Sequence, residues 1–319
     1  MLKDRFGRVI SYLRVSVTPR CNLKCIYCIS KDSNLNENCE ILTNSEILRL
    51  SRIAVSLGIK KIRLTGGEPL LRKDIVELVK DMVEIDGLED LSLTTNGTLL
   101  EEYAISLKEA GLKRINISLD TLDREKFKRI TNGSSFERVM KGIESAIKVG
   151  FEPIKINVVV IRGINDDEIE RFVNFGREKN LIVRFIEYMP ISEREDFSRK
   201  FVSMDEIIEK IKNFVKEGEG FSSTSSEPSR YLQMRDGTRI GVISSVSHGF
   251  CESCNRLRLT YDGFLRACLT EDSEIDLKEA LRNGADDSQI AELFIKAVIL
   301  KPEKGCFKEI KRGMREIGG

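Results

Sequence analysis

From residue 11 to about 187 the chain alternates short apolar runs with longer segments in which apolar residues recur every three or four positions. The short runs are Leu13–Val17, Ile62–Thr65, Leu91–Thr95, Ile115–Leu119, Ile154–Val160 and Val183–Glu187. They are rich in Val, Ile and Leu, and so predict strands buried on both faces. The longer segments predict helices over Ser45–Leu57, Lys73–Glu84, Leu99–Ala110, Phe136–Val149 and Asp166–Lys179. In the first of these, Ile47, Leu50, Ile53, Ala54 and Leu57 share one face. Thr43 or Asn44, and Asn165 or Asp166, can cap helix starts, and Gly58, Gly87, Gly111 and Gly150 follow helix ends.

Repeated β–α units of this kind imply a parallel sheet with right-handed crossovers. A closed eight-unit barrel usually takes roughly 250 residues. The six units here fall within 190 residues. The expected fold class is therefore α/β, a partial (β/α)6 TIM-like barrel; a doubly wound open sheet would show the same alternation. After Met189-Pro190 the rhythm stops. A polar stretch over 191–200, a helix over Ser203–Phe214 and a Gly/Ser-rich loop over Gly218–Ser229 follow. Short antiparallel strands are expected over 231–268 and two helices over 276–300. This divides the chain into a barrel domain over 1–190 and a smaller α+β domain over 191–319.

Composition narrows the function. The chain has 319 residues, 41% hydrophobic and 32% charged, a balance that builds a core. A net charge of +1 gives no global field toward nucleic acid or membrane, so any anionic ligand needs a local cluster of cations. With one His and no Trp, a His-based acid–base enzyme or zinc hydrolase is a poor fit. The opening MLKDRFGRVI lacks a signal-peptide pattern, and no apolar run is long enough to span a bilayer. A cytoplasmic protein is expected. Its eight cysteines then read as metal ligands or catalytic groups rather than disulfides.

Cys21, Cys25 and Cys28 follow the first strand directly, where β/α barrels carry their catalytic groups. Three thiolates within eight residues suit a soft metal or an iron–sulfur cluster. Three ligands on a cubane leave one iron open, which a catalytic site needs. A zinc-stabilised loop is the alternative, although a closed zinc site normally shows two CxxC-like pairs. The second strand ends in Thr65-Gly66-Gly67-Glu68-Pro69, whose glycines leave backbone groups bare to a ligand.

A second triplet, Cys251, Cys254 and Cys268, lies in the smaller domain. His248 is the nearby candidate for a fourth ligand, so spacing alone leaves a zinc site open. Arg256 and Arg258 follow at once and would share one face of a strand. Two guanidiniums beside a cluster suit a polyanion such as a triphosphate.

The CxxxCxxC followed by GGEP resembles the radical S-adenosylmethionine superfamily. There the open iron of a 4Fe–4S cluster chelates S-adenosylmethionine and one electron yields a 5′-deoxyadenosyl radical. Tyr27 between the last two cysteines also fits the pattern. From Arg14 onward the chain is similar to one family within it, the GTP 3′,8-cyclases of molybdenum cofactor biosynthesis. The matching stretches are LRVSVTPRCNLKCIYC, KKIRLTGGEPLLR, LTTNG, INISLD, KINVVVIRGIND, RFIEYMPI, SVSHGFCESCNRLRLTYDGFLRACL and Ile317-Gly318-Gly319. The segments 29–42 and 214–230 follow the family poorly, and Cys39 and Cys306 read as free thiols.

The resemblance implies two 4Fe–4S clusters, one on Cys21, Cys25 and Cys28, the other on Cys251, Cys254 and Cys268. It implies S-adenosylmethionine contacts from Tyr27, Gly67, Ser118 and Met189. It further implies GTP contacts from Arg14, Arg63, Thr94, Lys155, Arg256 and Arg258. The Gly318-Gly319 tail is expected to enter the active site. The implied reaction is conversion of GTP to 3′,8-cyclo-7,8-dihydro-GTP, a lyase step. Expected partners are GTP, an electron donor such as a ferredoxin or flavodoxin, cyclic pyranopterin monophosphate synthase as consumer of the product, and a second copy in a homodimer. Neither nucleic acid nor membrane is expected. Two rival readings stand beside this one. A radical S-adenosylmethionine enzyme that modifies a peptide with an auxiliary cluster would need a groove for a chain substrate. A zinc-stapled binding module for nucleic acid would need a basic stripe, which a net charge of +1 does not supply.

Overall fold

The structure, a computed structural model, describes residues 1–28, 40–133, 135–191, 196–218, 220–222, 228–307 and 312–318. Strands β1 (Tyr12–Ser16), β2 (Lys61–Thr65), β3 (Asp90–Thr95), β4 (Arg114–Ser118), β5 (Ile154–Val160) and β6 (Ile182–Glu187) fall within one residue of the expected runs. Between them lie α1 (Asn44–Ser56), α2 (Ile75–Val83), α3 (Leu100–Glu109), α4 (Arg124–Thr131), α5 (Phe136–Lys148) and α6 (Ile169–Glu178). Helix α1 opens with a capping box: Thr43 accepts from Glu46 N, and the Glu46 carboxylate accepts from Thr43 N. Periodicity does not announce α4, because its eight residues carry only Phe127 and Ile130 as large apolar groups.

The later chain adds α7 (Phe197–Lys200), α8 (Met204–Ile211), β7 (Arg230–Gln233), β8 (Arg239–Ile243), β9 (Arg256–Leu259), β10 (Phe264–Arg266), β11 (Glu274–Asp276), α9 (Leu277–Arg282) and α10 (Asp287–Ile299). These strands do not form a sheet of their own. One open sheet runs β11-β10-β9-β1-β2-β3-β4-β5-β6-β8-β7. The pairs β7–β8 and β9–β10 are antiparallel, as expected for 231–268, and β11, which lies beyond that range, pairs antiparallel with β10. The joins to the earlier strands, β9 on β1 and β8 on β6, are parallel. The segment after residue 190 thus lengthens the parallel sheet at both edges. Within the segment 214–230, Val215 bridges Met234 and Ser222 bridges Tyr231. Position 219 and positions 223–227 lie outside the described residues.

Buried residues of every strand and most helices form one apolar core. Along most of the strands apolar residues occupy alternate positions, and that face is the one covered by the helices and packed into the core. The sheet's other face turns polar: Arg14, Arg63, Asn116, Lys155, Arg184 and Arg258 alternate with core residues along their strands.

Candidate active site

Both cysteine triplets line one cavity of about 310 Å³ at the ends of the parallel strands. The loop carrying Cys21, Cys25 and Cys28 is held from two sides. Lys24 N and Ile26 N donate to the carbonyls of Thr131 and Ile130, at the end of α4. Gly67 N and Glu68 N donate to the carbonyls of Thr18 and Arg20, both at 2.7 Å. A Cβ on Gly67 would stand 2.2 Å from the Arg20 carbonyl oxygen. The glycine is therefore demanded by contact between two loops, as well as exposing backbone to the cavity.

Glu68 is fully buried and accepts from Leu70 N, Thr95 Oγ1 and Asn96 N at 3.1, 2.7 and 2.6 Å. Burial outweighs these bonds and pushes its carboxyl up to about 7. Asn96 in turn donates to Asn22 Oδ1 at 2.8 Å and approaches Cys21 Sγ at 3.8 Å. Tyr27 Oη donates to Asp120 Oδ2 at 2.6 Å, and Val159 N donates to Asp120 Oδ1 at 2.8 Å. Burial raises Asp120 to about 6.

The two triplets stand in opposite electrostatic surroundings. Burial pushes Cys28 up to about 12, with the neighbouring Cys21 adding to the shift, and raises Cys25 and Cys21 as well. At the second triplet burial also opposes ionisation, yet Arg256 and Lys301 outweigh it and bring Cys254 down to about 6. Among the described residues no three ligating side chains close on one point as a single metal ion requires. Instead, the three thiols of each triplet face a shared void. A thiol held neutral by burial ionises when a metal supplies the missing positive charge. This donor chemistry fits an iron–sulfur cluster at each triplet. His248 takes no part: it is exposed, with Nε2 3.2 Å from the Asp205 carboxylate. Cys306 is exposed and free, and Cys39 lies outside the described residues.

Between the triplets the sheet register builds a row of guanidiniums. Arg14 on β1 pairs with Arg63 on β2 and with Arg258 on β9. Deeper in the barrel, Arg184 donates to Asn157 Oδ1 and Asn116 Oδ1, and Lys155 donates to Tyr231 Oη at 3.0 Å. Burial pulls Arg63 down to about 9, and the nearby Arg14 and Arg184 add to the shift. Arg258 is lowered further, by burial first and then by Arg14 and Arg256. Buried cations facing one another without carboxylates are unfavourable until an anion joins them.

The predicted residues divide by depth. Arg14, Tyr27, Gly67, Thr94, Ser118, Met189, Arg256 and Arg258 line the cavity, whereas Arg63 and Lys155 lie outside its lining. Sequence reading passed over Arg184, Asp120 and Lys301. Arg184 and Asp120 stand inside the RFIEYMPI and INISLD stretches, which was the available signal.

The tail enters the same space. Gly318 O accepts from Arg14 Nη1 at 3.2 Å and from Arg258 Nη1, which also donates to Ile317 O at 3.2 Å. Met314 and Arg315 line the cavity. Gly319 lies outside the described residues.

The Radical SAM superfamily profile matches residues 15–176, and the Molybdenum Cofactor Synthesis C profile matches 181–307. A protein of Thermodesulfovibrio yellowstonii named GTP 3′,8-cyclase is 45% identical over 323 residues, covering 100% of both chains. A Moorella thermoacetica protein of the same name is 45% identical over 324 residues, again covering 100% of both. Among solved structures, Streptococcus suis SuiB has a TM-score of 0.63 at 17% identity, with 94% of this chain and 73% of that one covered. At that identity the likeness establishes the fold, and it agrees with a partial barrel.

Proposed function

We infer the activity from one established fact: the chain belongs to the GTP 3′,8-cyclase family of the radical S-adenosylmethionine superfamily. It converts GTP to 3′,8-cyclo-7,8-dihydro-GTP, joining the ribose C3′ to guanine C8, in molybdenum cofactor biosynthesis. The observation that carries this reading is the convergence of both cysteine triplets with Arg14, Arg256 and Arg258 on one cavity.

When bound, the first cluster with S-adenosylmethionine supplies a 5′-deoxyadenosyl radical, and the second cluster supplies an open iron for the guanine. The chain's own work is positioning and exclusion of water. Cys21, Cys25 and Cys28 hold the first cluster, and Cys251, Cys254 and Cys268 the second. Tyr27, fixed by Asp120, with Gly67, Ser118 and Met189, contacts S-adenosylmethionine. Arg14, Arg256 and Arg258 take the triphosphate, with Thr94 beside them. Arg63 and Lys155, which lie outside the cavity lining, act on the nucleotide through the field of the buried row. Gly318 helps complete the closed site, and the catalytic role expected of Gly319 is proposed with it.

The same reading includes an electron donor such as a ferredoxin or flavodoxin, cyclic pyranopterin monophosphate synthase downstream, a homodimer, and a cytoplasmic setting. Among the described residues no helix is long and apolar enough to cross a membrane. Anaerobic incubation with GTP, S-adenosylmethionine and a reductant tests the activity. The expected result is the cyclised nucleotide together with 5′-deoxyadenosine, by mass analysis; 5′-deoxyadenosine with unaltered GTP would defeat it.

A further inference from the structure

Lys301 is a buried ammonium that the chemistry above does not use. It follows α10 and is 2% exposed. Its Nζ donates to the carbonyl of Arg256 at 2.8 Å and to that of Ala267 at 2.6 Å. The sulfurs of Cys254 and Cys268 act on it electrostatically. The two carbonyls take two of the three N–H groups of the ammonium. Among the described residues no carboxylate pairs with it. A buried charge without a carboxylate partner needs another anion, which the sulfurs of the second triplet, or what they hold, can provide.

The backbone contacts say where. Arg256 stands two residues after Cys254 and opens β9; Ala267 immediately precedes Cys268, just after β10. One side chain therefore ties together the two strand ends that carry these cysteines. The residues that follow reach the third. Gly305 N donates to Cys251 Sγ at 3.4 Å, and a Cβ at Gly305 would stand 3.3 Å from Cys268 Sγ. The segment from Lys301 to Gly305 forms the floor beneath the triplet.

We propose that Lys301 is the positioning residue of the second cluster: it sets the spacing of Cys254 and Cys268 and supplies the fixed positive charge that tunes the cluster's reduction potential. The proposal rests on the second triplet holding an iron–sulfur cluster. Three thiolates around an iron–sulfur core make an anion that gains negative charge on reduction. A neighbouring ammonium favours the reduced form and raises the potential, because a charge in a low-dielectric site acts strongly.

Two variants separate the charge from the hydrogen bonds. Lys301→Gln keeps two N–H donors without the charge; Lys301→Met removes both. The measurement is an EPR-monitored redox titration of the full chain carrying Cys25→Ala, so that only the second cluster remains, together with iron analysis. In Lys301→Gln the cluster is retained and its reduced-to-oxidised ratio at a given potential falls about tenfold, equivalent to about 59 mV for a one-electron couple. Lys301→Met loses most of the second cluster's iron. An unchanged potential in Lys301→Gln, or full iron in Lys301→Met, overturns the proposal. If Lys301→Met, with the first triplet intact, also fails to cleave S-adenosylmethionine, Lys301 belongs to the fold at large and the proposal falls. A parent chain that takes up iron at the first triplet alone defeats the two-cluster reading instead.

Discussion

Arg14 and Arg258 are register partners on adjacent parallel strands, and both donate to the carbonyl of Gly318. A pair of like charges side by side in a sheet is unfavourable by itself. The peptide carbonyl gives them a common acceptor, but it carries only a partial charge. Phosphate oxygens carry more and can accept from both guanidiniums at once. The pairing therefore reads as a site built for an anion.

It follows that Arg258→Ala weakens nucleotide binding through the phosphates. A charge-assisted contact is worth on the order of 2 kcal/mol, about 30-fold in affinity. Anaerobic equilibrium titration should show this loss for GTP and a much smaller one for guanosine. Equal losses would place the arginine's effect on the fold or the base.

Gly318 should not tolerate a side chain. Its φ of +69° is a left-handed conformation, and a Cβ there would stand 2.7 Å from Thr65 Cγ2. The conformational term alone costs about 1–2 kcal/mol for an L-residue. Gly318→Ala should shift the tail out of the cavity at least tenfold. Both clusters and S-adenosylmethionine binding should persist while GTP cyclisation drops by a similar factor. Cyclisation at the parent rate would show the tail's position to be incidental.

The strands and most helices were legible because Val, Ile and Leu recur at short spacing along each strand and at helical spacing along each long helix. Helix α4 was not, since its helical stripe holds only Phe127 and Ile130, yet its last carbonyls hold the Cys21–Cys28 loop. The cysteines and the Arg256–Arg258 stripe were readable because their spacing is local. The neighbourhood of Arg258 was not: it depends on β9 joining β1 in parallel, a pairing that no local pattern encodes. The same holds for Lys301, whose partners at Arg256 and Ala267 lie at the start of β9 and just past β10, far from it in sequence.

The two triplets should lose iron independently. Cys25→Ala should remove about half the iron by the two-cluster count and abolish 5′-deoxyadenosine formation. Cys268→Ala should remove the other half and spare S-adenosylmethionine cleavage while ending GTP turnover. Deoxyadenosine at the parent rate in Cys25→Ala would be incompatible with the first-cluster assignment.

Glu68 should impose a pH dependence on stability. Its buried carboxyl is raised from 4.5 to about 7, so the folded state binds its proton more tightly than the unfolded state. The stabilisation is complete below about pH 4.5 and is lost as pH rises through 7. The shift corresponds to about 3 kcal/mol. Glu68→Gln loses the hydrogen bond from Asn96 N at every pH but has no proton to release. Between pH 4.5 and 8, denaturant titrations of the metal-free chain should move in the variant's favour by about that amount. A constant gap across the range would mean that Glu68 stays ionised.

The last prediction concerns the other end of the tail. Arg312 pairs with Asp262 and Glu274, each at 2.9 Å, and lies over the Phe264 ring at 5.0 Å. All three partners belong to the β9–β10–β11 sheet edge, so the tail is pinned to the segment that carries the second triplet before it reaches Gly318. The partners survive without it. Glu274 is also held by the fully buried Arg266, and Asp262 accepts from Thr260 Oγ1 at 2.6 Å. Removing Arg312 therefore leaves no stranded carboxylate, and the loss falls on tail docking rather than on the sheet. The pair is mostly buried, with side-chain exposures of 16% and 10% for Arg312 and Asp262, so salt screens it incompletely. Contacts of this kind are worth about 1.5–3 kcal/mol. Arg312→Ala should expose the tail to carboxypeptidase at least tenfold faster and lower GTP cyclisation, with both clusters and the melting temperature kept. Arg312→Lys, which retains the charge but not the two-pronged geometry, should fall between the two. Digestion of Arg312→Ala at the parent rate would show that the tail is held by Arg14 and Arg258 alone.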